Sequence, residues 1–183
     1  MKTLVLVFHP NLAESRGNRH LVEEIREQPN VTVHNVYEAY SDEKIDIYTE
    51  QQLVEEHDRI VLQFPFYWYS APPLLKKWLE EVITYGWAYG TEGDKFRGKE
   101  ILVSVTTRVD QEDYSPEGDV KFSVSELLRP LEATSNFVGA HYLAPFALHG
   151  VEHKSDEQLA EIAKEYVSYT LNPEVTLDSY ALI

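Results

Sequence analysis

The feature that most constrains the fold is a regular alternation between two hydrophobic patterns. Short apolar runs rich in β-branched residues recur five times, at LVLVF (4–8), VTVHNV (31–36), RIVLQF (59–64), EILVSVT (100–106) and NFVGAHYL (136–143). Short runs of continuous apolarity are typical of strands buried on both faces of a parallel sheet. The chain therefore predicts five parallel strands.

Helical patterns fill the intervals between these runs. Apolar residues recur at the spacing of an amphipathic helix over 18–28, 73–85 and 123–135, and a last helix opens at Ser155 with the capping pattern S-D-E-Q. A shorter helix is predicted over 49–56, and Pro130 should kink the third helix or mark a boundary. Strand–helix alternation of this kind predicts one domain with a doubly wound α/β sheet and right-handed crossovers.

Composition narrows the classes of function. The 183 residues include 31 Asp and Glu against 16 Lys and Arg, a net charge of −15 at pH 7. Nucleic acid and anionic membrane surfaces would repel such a chain, so we expect no nucleic-acid partner. The chain has no Cys, no signal-peptide pattern and no apolar run of membrane-spanning length, which predicts a cytoplasmic location. A bound anion would have to be held by local N–H groups.

Functional residues are expected in the loops at the carboxyl ends of the strands, because ligands of doubly wound sheets bind there. The first loop, HPNLAESRGN (9–18), offers neutral donors at the start of a helix, where unpaired N–H groups and the helix dipole favour an anion. It lacks both the dinucleotide G-x-G-x-x-G and the P-loop motif. The pattern is weak, since Ser15 serves equally as a helix N-cap and His9 as a solvated loop residue.

The second loop holds four consecutive aromatic residues, FYWY (66–69), between Pro65 and the pair Pro72-Pro73. Adjacent residues of a helix or strand cannot share one face, which argues against burial of all four in the core. The prolines stiffen the backbone into a fixed turn. A rigid aromatic loop at this edge of the sheet suits the face and edge of a planar ring system.

These segments resemble the flavodoxin-like NAD(P)H:quinone oxidoreductase family. The resemblance rests on HPN…SRGN, FPFYWYSAPPLLKKW, GWAYG and VTT, and runs from Met1 to about Leu171. It is strongest to the FMN-type bacterial branch, which includes modulator-of-drug-activity proteins and ancillary oxidoreductase subunits of glutathione-gated potassium efflux systems. The resemblance implies a flavodoxin-like domain over 1–172, strand order 2-1-3-4-5 with helices on both faces, and a C-terminal tail over 173–183.

The resemblance also implies roles for individual residues. The flavin phosphate would be held by His9, Ser15, Arg16, Gly17 and Asn18; the ring and ribityl chain would contact Pro65, Phe66, Tyr67, Trp68 and Tyr69; the third flavin loop would supply Thr106, Thr107 and Arg108; and Tyr114 would be the catalytic residue beside the ring. FMN is expected in preference to FAD, with NAD(P)H as donor and a quinone or similar small molecule as acceptor in a ping-pong reaction. No metal site is expected.

Partners are implied in the same way. The GWAYG segment (86–90) would lie near the interface of a homodimer, and the aromatic surface of Trp78, Trp87 and Tyr89 is expected to be covered there. The alternative function is that of a regulatory subunit docked on a potassium efflux transporter, which makes a membrane protein a second expected partner.

Four positions depart from the family pattern or stay open. Arg108 and Val109 stand where relatives usually carry glycines. Arg108 either stabilises the reduced flavin anion and raises its potential, or crowds the ring together with Val109 and weakens flavin binding. A further alternative is that Arg108 turns to solvent or pairs with an acidic neighbour at 110, 112 or 113. Val120 occupies the place of a histidine that partners the tyrosine in better-known quinone reductases. His149 either lines the pocket or is an ordinary solvated or core histidine.

Overall fold

The computed structural model describes residues 1–177. Its strands are β1 (Thr3–Val7), β2 (Val31–Asn35), β3 (Arg59–Pro65), β4 (Glu100–Thr106), β5 (His141–Tyr142) and β6 (Phe146–Leu148). Its α-helices are α1 (Gly17–Ile25), α2 (Val36–Ala39), α3 (Ile47–Glu55), α4 (Pro73–Val82), α5 (Val124–Leu127), α6 (Arg129–Phe137) and α7 (Asp156–Leu171). Short 3-10 turns lie at Leu12–Glu14, Gln111–Asp113 and Val151–His153.

The strands form one parallel sheet in the order β2-β1-β3-β4-β5, which confirms the predicted order. The edge position beside β4 is shared by two short strands. β5 pairs with the start of β4, where Glu100 faces His141, and β6 pairs with its end, where Ser104 faces Phe146. Within residues 1–177 the sheet therefore has six strands, and β5 and β6 lie one after the other along the same edge of β4.

The prediction of one strand over 136–143 is wrong. Helix α6 runs on to Phe137, and Gly139 follows it with a φ of 74°, the left-handed conformation common after a helix. Pro145 has no N–H to give to a strand ladder, and it lies in the gap between β5 and β6. The predicted boundary at Pro130 is confirmed, because one helix ends at Leu127 and the next begins at Arg129.

Alternate residues of the central strands point into two hydrophobic layers. Leu4 and Leu6 of β1 pack on one face, where α3 and α4 cover the sheet, while Val5 and Val7 pack on the other, beneath α1 and α7. All four side chains are fully buried. The core is thus built on both faces, as the continuous apolarity of β1 predicts.

The last described segment continues to pack on the domain. Val175 is buried, and the carbonyl of Thr176 accepts a 3.2 Å hydrogen bond from the backbone N–H of Ala144. The predicted tail over 173–183 extends beyond the described residues at 178–183, and its boundary stays a prediction. In residues 1–177 no helix combines the length and apolarity that crossing a bilayer requires.

Candidate active site

A cleft of about 720 Å³ lies at the carboxyl ends of β1, β3 and β4. It is lined by His9, Glu14, Ser15, Arg16, Gly17, Asn18, Pro65, Phe66, Tyr67, Trp68, Thr106, Thr107, Arg108, Val151 and Glu152. Every residue predicted to bind the cofactor is in this lining except Tyr69, the neighbour of Trp68. A volume of this order is typical of sites for small organic ligands.

The start of α1 forms one end of the cleft. Gly17 is buried here, and a Cβ at this position would lie 3.1 Å from a methyl of Val151 and 3.3 Å from one of Thr106. A larger side chain would push these walls apart, so the close approach depends on glycine. The N–H groups in the first turn of a helix have no partners within the helix and favour an anion.

Asn18 anchors this helix start instead of offering its amide to the cleft. The residue is buried, and its side-chain Nδ2 donates a 2.8 Å hydrogen bond to Oγ1 of Thr106. Nε2 of Gln63 donates to both the carbonyl and Oδ1 of Asn18, at 3.1 and 3.2 Å. The side chain of Asn18 therefore positions α1 against β3 and β4, while its own N–H donates to Oγ of Ser15 at 3.2 Å.

His9 offers a neutral donor at the same end. Its Nδ1 accepts a 3.1 Å hydrogen bond from the backbone N–H of Asn11, which places the ring proton on Nε2. Burial lowers the pKa of His9, so the ring is uncharged at neutral pH. An N–H donor without a charge agrees with the expectation that this acidic chain would hold an anion by neutral groups.

Arg16 directs its guanidinium away from the helix start and into the loop after β6. It donates to the carbonyls of Val151 and Lys154 at 3.3 and 2.7 Å, and pairs with Asp156 at 2.8 Å. These bonds hold the 151–156 loop against the cleft as an additional wall.

Three residues of the cleft lining were not predicted from the sequence. Val151 and Glu152 were missed because the fifth strand was placed too early. Glu14 was missed because an acidic residue is unexpected beside an anion site.

The aromatic loop is a two-residue hairpin. Tyr67 and Ser70 exchange backbone hydrogen bonds of 2.9 and 3.1 Å. Between them Trp68 and Tyr69 have φ values of 50° and 61°, a left-handed conformation that bulky side chains rarely adopt. Trp68 is 93% exposed and Tyr69 47%. The backbone thus holds two aromatic rings outward in a conformation that costs energy, which is a pattern found at functional sites.

The loop after β4 forms the opposite wall. The backbone N–H of Thr107 donates to the carbonyl of Leu148 at 2.9 Å, and its hydroxyl donates to the carbonyl of Val109 at 2.8 Å. Phe66 in turn donates its N–H to the carbonyl of Thr106 at 3.0 Å, which joins this wall to the aromatic loop. Thr106 and Thr107 are both buried, so they fix the backbone of this wall.

Tyr114 lies behind the aromatic wall instead of in the cleft lining. Its ring packs against Phe66 at 6.2 Å and against His149 at 5.2 Å between centroids. Tyr114 and His149 line a second, smaller cavity of about 180 Å³. Burial raises the pKa of the Tyr114 hydroxyl, which keeps its proton at neutral pH, and burial together with Lys154 lowers the pKa of His149.

Arg108 pairs with an acidic residue that the sequence did not indicate. Its Nε lies 2.8 Å from Oε1 of Glu152 and its Nη2 3.1 Å from Oε2, a bidentate contact across the rim of the cleft. The Arg108 side chain is 81% exposed. The expected partners at 110, 112 and 113 are therefore wrong, because the loop after β6 presents Glu152 to the guanidinium from the far side of the rim.

The aromatic surface differs from the predicted one. Trp78 is only 1% exposed and donates its indole N–H to the buried carboxylate of Glu50 at 2.7 Å, so the expectation that it forms surface is wrong. Tyr85 and Phe137 are exposed instead, at 66% and 68%. Tyr89 lies between them, with ring centroids 5.9 Å from Tyr85 and 5.1 Å from Phe137. The exposed aromatic patch is therefore formed by Tyr85, Tyr89 and Phe137, without Trp78.

Comparison with known proteins places the chain in a family. Residues 1–170 match the Flavodoxin_2 family, described as having a flavodoxin-like fold, and the chain belongs to that family. General stress protein 14 of Bacillus subtilis (strain 168) is 47% identical over 96% of this chain and 100% of its own length. A second protein of that strain, named Uncharacterized NAD(P)H oxidoreductase YdeQ, is 47% identical over 98% of this chain and 93% of its own.

More distant relatives include the glutathione-regulated potassium-efflux system ancillary protein KefG of Cronobacter sakazakii (strain ATCC BAA-894). It is 37% identical over 94% of each chain.

Solved structures agree with this fold. General stress protein 14 of Treponema denticola, solved in complex with FMN, is 40% identical with a TM-score of 0.89 and covers 93% of this chain and 98% of that one. An NADPH-quinone reductase from P. pentosaceus is 34% identical with a TM-score of 0.86 and covers 94% and 99%. A chain described as a thermophilic tryptophan halogenase from Streptomycin violaceusniger is 48% identical with a TM-score of 0.90, covering 92% and 98%. Two of these descriptions name an activity, and the two activities differ.

Proposed function

We propose that this protein is an FMN-dependent NAD(P)H oxidoreductase that reduces quinones or similar small acceptors by two-electron transfer. The observation that carries the proposal is the meeting, in one cleft, of a neutral anion site at the start of α1 with the hairpin that exposes Trp68 and Tyr69. The named relatives and the FMN-bound neighbour support the same choice. When bound, FMN supplies the redox chemistry, and the protein supplies binding and orientation.

The residues present fit a flavin mononucleotide. The Nε2–H of His9, the hydroxyl of Ser15 and the backbone N–H groups at Arg16 and Gly17 are the donors that would hold the phosphate. Gly17 leaves room for this approach, since a Cβ there would meet Val151 and Thr106. Such donors bind a phosphate without requiring a basic surface, which agrees with the net charge of −15.

The aromatic hairpin would hold the ring system. Pro65 and Phe66 end β3 beside the cleft, and the left-handed backbone of Trp68 and Tyr69 fixes their rings before a ligand arrives. A site fixed in this way loses little freedom on binding. Tyr114 keeps its phenolic proton and packs on Phe66 beside the cleft, and its catalytic role, which the resemblance implies, stays a proposal. We expect the donor and the acceptor to occupy the cleft in turn, which would give ping-pong kinetics.

We further propose that two copies associate through the patch formed by Tyr85, Tyr89 and Phe137. Exposed aromatic groups of this kind mark interaction surfaces. A second candidate function, regulation of a potassium efflux transporter, is favoured by the 37% identity to KefG. A second copy of the chain or a transporter would each cover an exposed aromatic surface of this kind. A cytoplasmic location accompanies both proposals.

Turnover of the isolated protein distinguishes the two functions. We expect the FMN-loaded protein to oxidise NADH or NADPH with a quinone as acceptor, with parallel-line kinetics in the two substrates. Gly17→Val, which fills the helix start, should lose both FMN and turnover. Glu56→Gln, a change at an exposed residue just after α3 and outside the cleft lining, should keep both. A wild-type protein that retains FMN but turns over no donor–acceptor pair would favour the regulatory function.

A further inference from the structure

The Arg108–Glu152 ion pair spans the rim of the cleft. Arg108 follows β4 and Glu152 follows β6, and both residues line the cleft. Their two contacts of 2.8 and 3.1 Å match the fork of the guanidinium to both carboxylate oxygens. The Arg108 side chain is 81% exposed and that of Glu152 53%, so the pair lies at the mouth and not on the floor.

An anionic substrate would be repelled by the net negative charge of this protein, so a cation at the mouth of the cleft is of particular interest. The chain carries −15, and Glu14 and Glu152 add two carboxylates to the cleft lining. The described lining contains two cations, Arg16 and Arg108. The guanidinium of Arg16 is committed to two carbonyls and a carboxylate, those of Val151, Lys154 and Asp156, whereas that of Arg108 pairs with Glu152 across the rim.

The energetics favour exchange of that partner. An exposed ion pair contributes about 0–1 kcal/mol, so Arg108 is released from Glu152 at small cost. A phosphate offers the same planar guanidinium a bidentate contact with a more highly charged acceptor. Backbone donors at the start of α1 already serve the phosphate of a mononucleotide. Arg108, at the mouth, is placed for a ligand that arrives from solvent.

Resting on the proposed function, we infer that Arg108 binds a phosphate group of the nicotinamide dinucleotide and that Glu152 holds the guanidinium at the rim until the dinucleotide displaces it. Arg108 is thus a determinant of donor affinity, and Glu152 competes with the donor for the same cation. The two residues should therefore have opposite effects when neutralised.

The test measures binding of the unreactive dinucleotides NAD⁺ and NADP⁺ to the FMN-loaded protein by titration at low and high salt. Arg108→Gln should weaken binding about tenfold or more, the loss expected for a charged hydrogen bond. Glu152→Gln should tighten it a few-fold at low salt. Arg129→Gln is the matched control, because it removes the same charge from a side chain that is 65% exposed and pairs with Glu132 on α6.

The outcomes separate this inference from the proposed function. Weakening for both dinucleotides assigns the contact to the pyrophosphate, and weakening for NADP⁺ alone assigns it to the 2′-phosphate. Equal affinities in Arg108→Gln and Arg129→Gln would overturn the inference, as would a loss of affinity for FMN but not for riboflavin in Arg108→Gln. Failure of the wild-type protein to bind either dinucleotide would instead count against the proposed function.

Discussion

The side-chain amide of Asn18 donates a 2.8 Å hydrogen bond to Oγ1 of Thr106 and so joins the first residues of α1 to the last residue of β4. Gln63 of β3 donates to the same asparagine, so three elements at the cleft meet on one buried residue. Tyr166 of α7 holds Gln63 in turn, with a 2.9 Å hydrogen bond to its Oε1. The floor of the cleft is therefore fixed by the fold itself.

Asn18→Ala should lower the free energy of unfolding and weaken FMN binding together. Removing the amide leaves Gln63 and Thr106 with unsatisfied buried groups, at a cost of about 1–3 kcal/mol. Urea unfolding of the apo-protein and a flavin titration measure the two effects.

Ser15→Ala is the matched variant for the phosphate site. It removes the hydroxyl that accepts from the N–H of Asn18 and costs about 1 kcal/mol of helix capping. FMN affinity should fall, while riboflavin, which has no phosphate, should bind as before. An equal loss for both flavins would contradict the assignment of Ser15 to the phosphate.

Trp68→Asn should stabilise the apo-protein and weaken FMN binding. Left-handed backbone costs a bulky residue about 1–2 kcal/mol, and asparagine tolerates it better. Trp68 is 93% exposed, so little packing is lost. Thermal unfolding should show a higher midpoint. Tyr48→Asn, on the exposed face of α3, should show no such gain, and a lower midpoint for Trp68→Asn would contradict the strain.

Arg108→Gly should leave the flavin midpoint potential nearly unchanged. A cation about 4 Å from the ring at an effective dielectric of about 20 would contribute a few kcal/mol, and about 1.4 kcal/mol corresponds to roughly 30 mV. The pair with Glu152 neutralises Arg108 at the rim instead. Redox titrations of both proteins decide the question: a fall of roughly 30 mV or more would place the guanidinium at the ring.

Glu50→Gln should destabilise the protein strongly. The carboxylate is fully buried and accepts from His34, Tyr40 and Trp78 at 2.8, 2.7 and 2.7 Å. Breaking a buried charged cluster costs about 3–5 kcal/mol. Urea unfolding measures the change, with Glu56→Gln as an exposed control at the residue that follows the same helix, which should stay within about 0.5 kcal/mol of wild type.

The effect of Glu50→Gln on the free energy of unfolding should depend on pH. Burial alone would raise the pKa of Glu50, but the hydrogen bonds from His34, Trp78 and Tyr40 hold it below its ordinary value. A lowered carboxyl pKa stabilises the fold above the unfolded pKa of about 4.3, and this stability is lost as pH falls through the lower folded value. The difference between wild type and Glu50→Gln should therefore shrink below about pH 4. A difference independent of pH would contradict an ionised Glu50.

The sequence predicted most of the fold because its signals are local. Continuous apolar runs identified β1 to β4, and the position of Pro130 identified the break between α5 and α6. The last strand was misplaced because α6 extends to Phe137, and periodicity alone does not distinguish a short apolar run at the end of a helix from a strand. Because of that error, the loop with Val151 and Glu152 was not predicted to line the cleft.

The sequence predicted which residue types line the candidate site, but not which side chains contact each other there. The placement of His9, Gly17 and Trp68 in one cleft follows from strand order. The pairing of Arg108 with Glu152, 44 residues away, and the burial of the Asn18 amide against Thr106 depend on tertiary contacts. Local spacing contains no information on such contacts.

Anaerobic mixing of the FMN-loaded protein with NADH or NADPH tests the central claim most directly. The claim predicts that the visible absorbance of the bound flavin bleaches at a rate that saturates with donor concentration, and that a quinone then restores it. A protein that does not take up FMN, or whose bound FMN stays oxidised in the presence of both donors, would contradict the account.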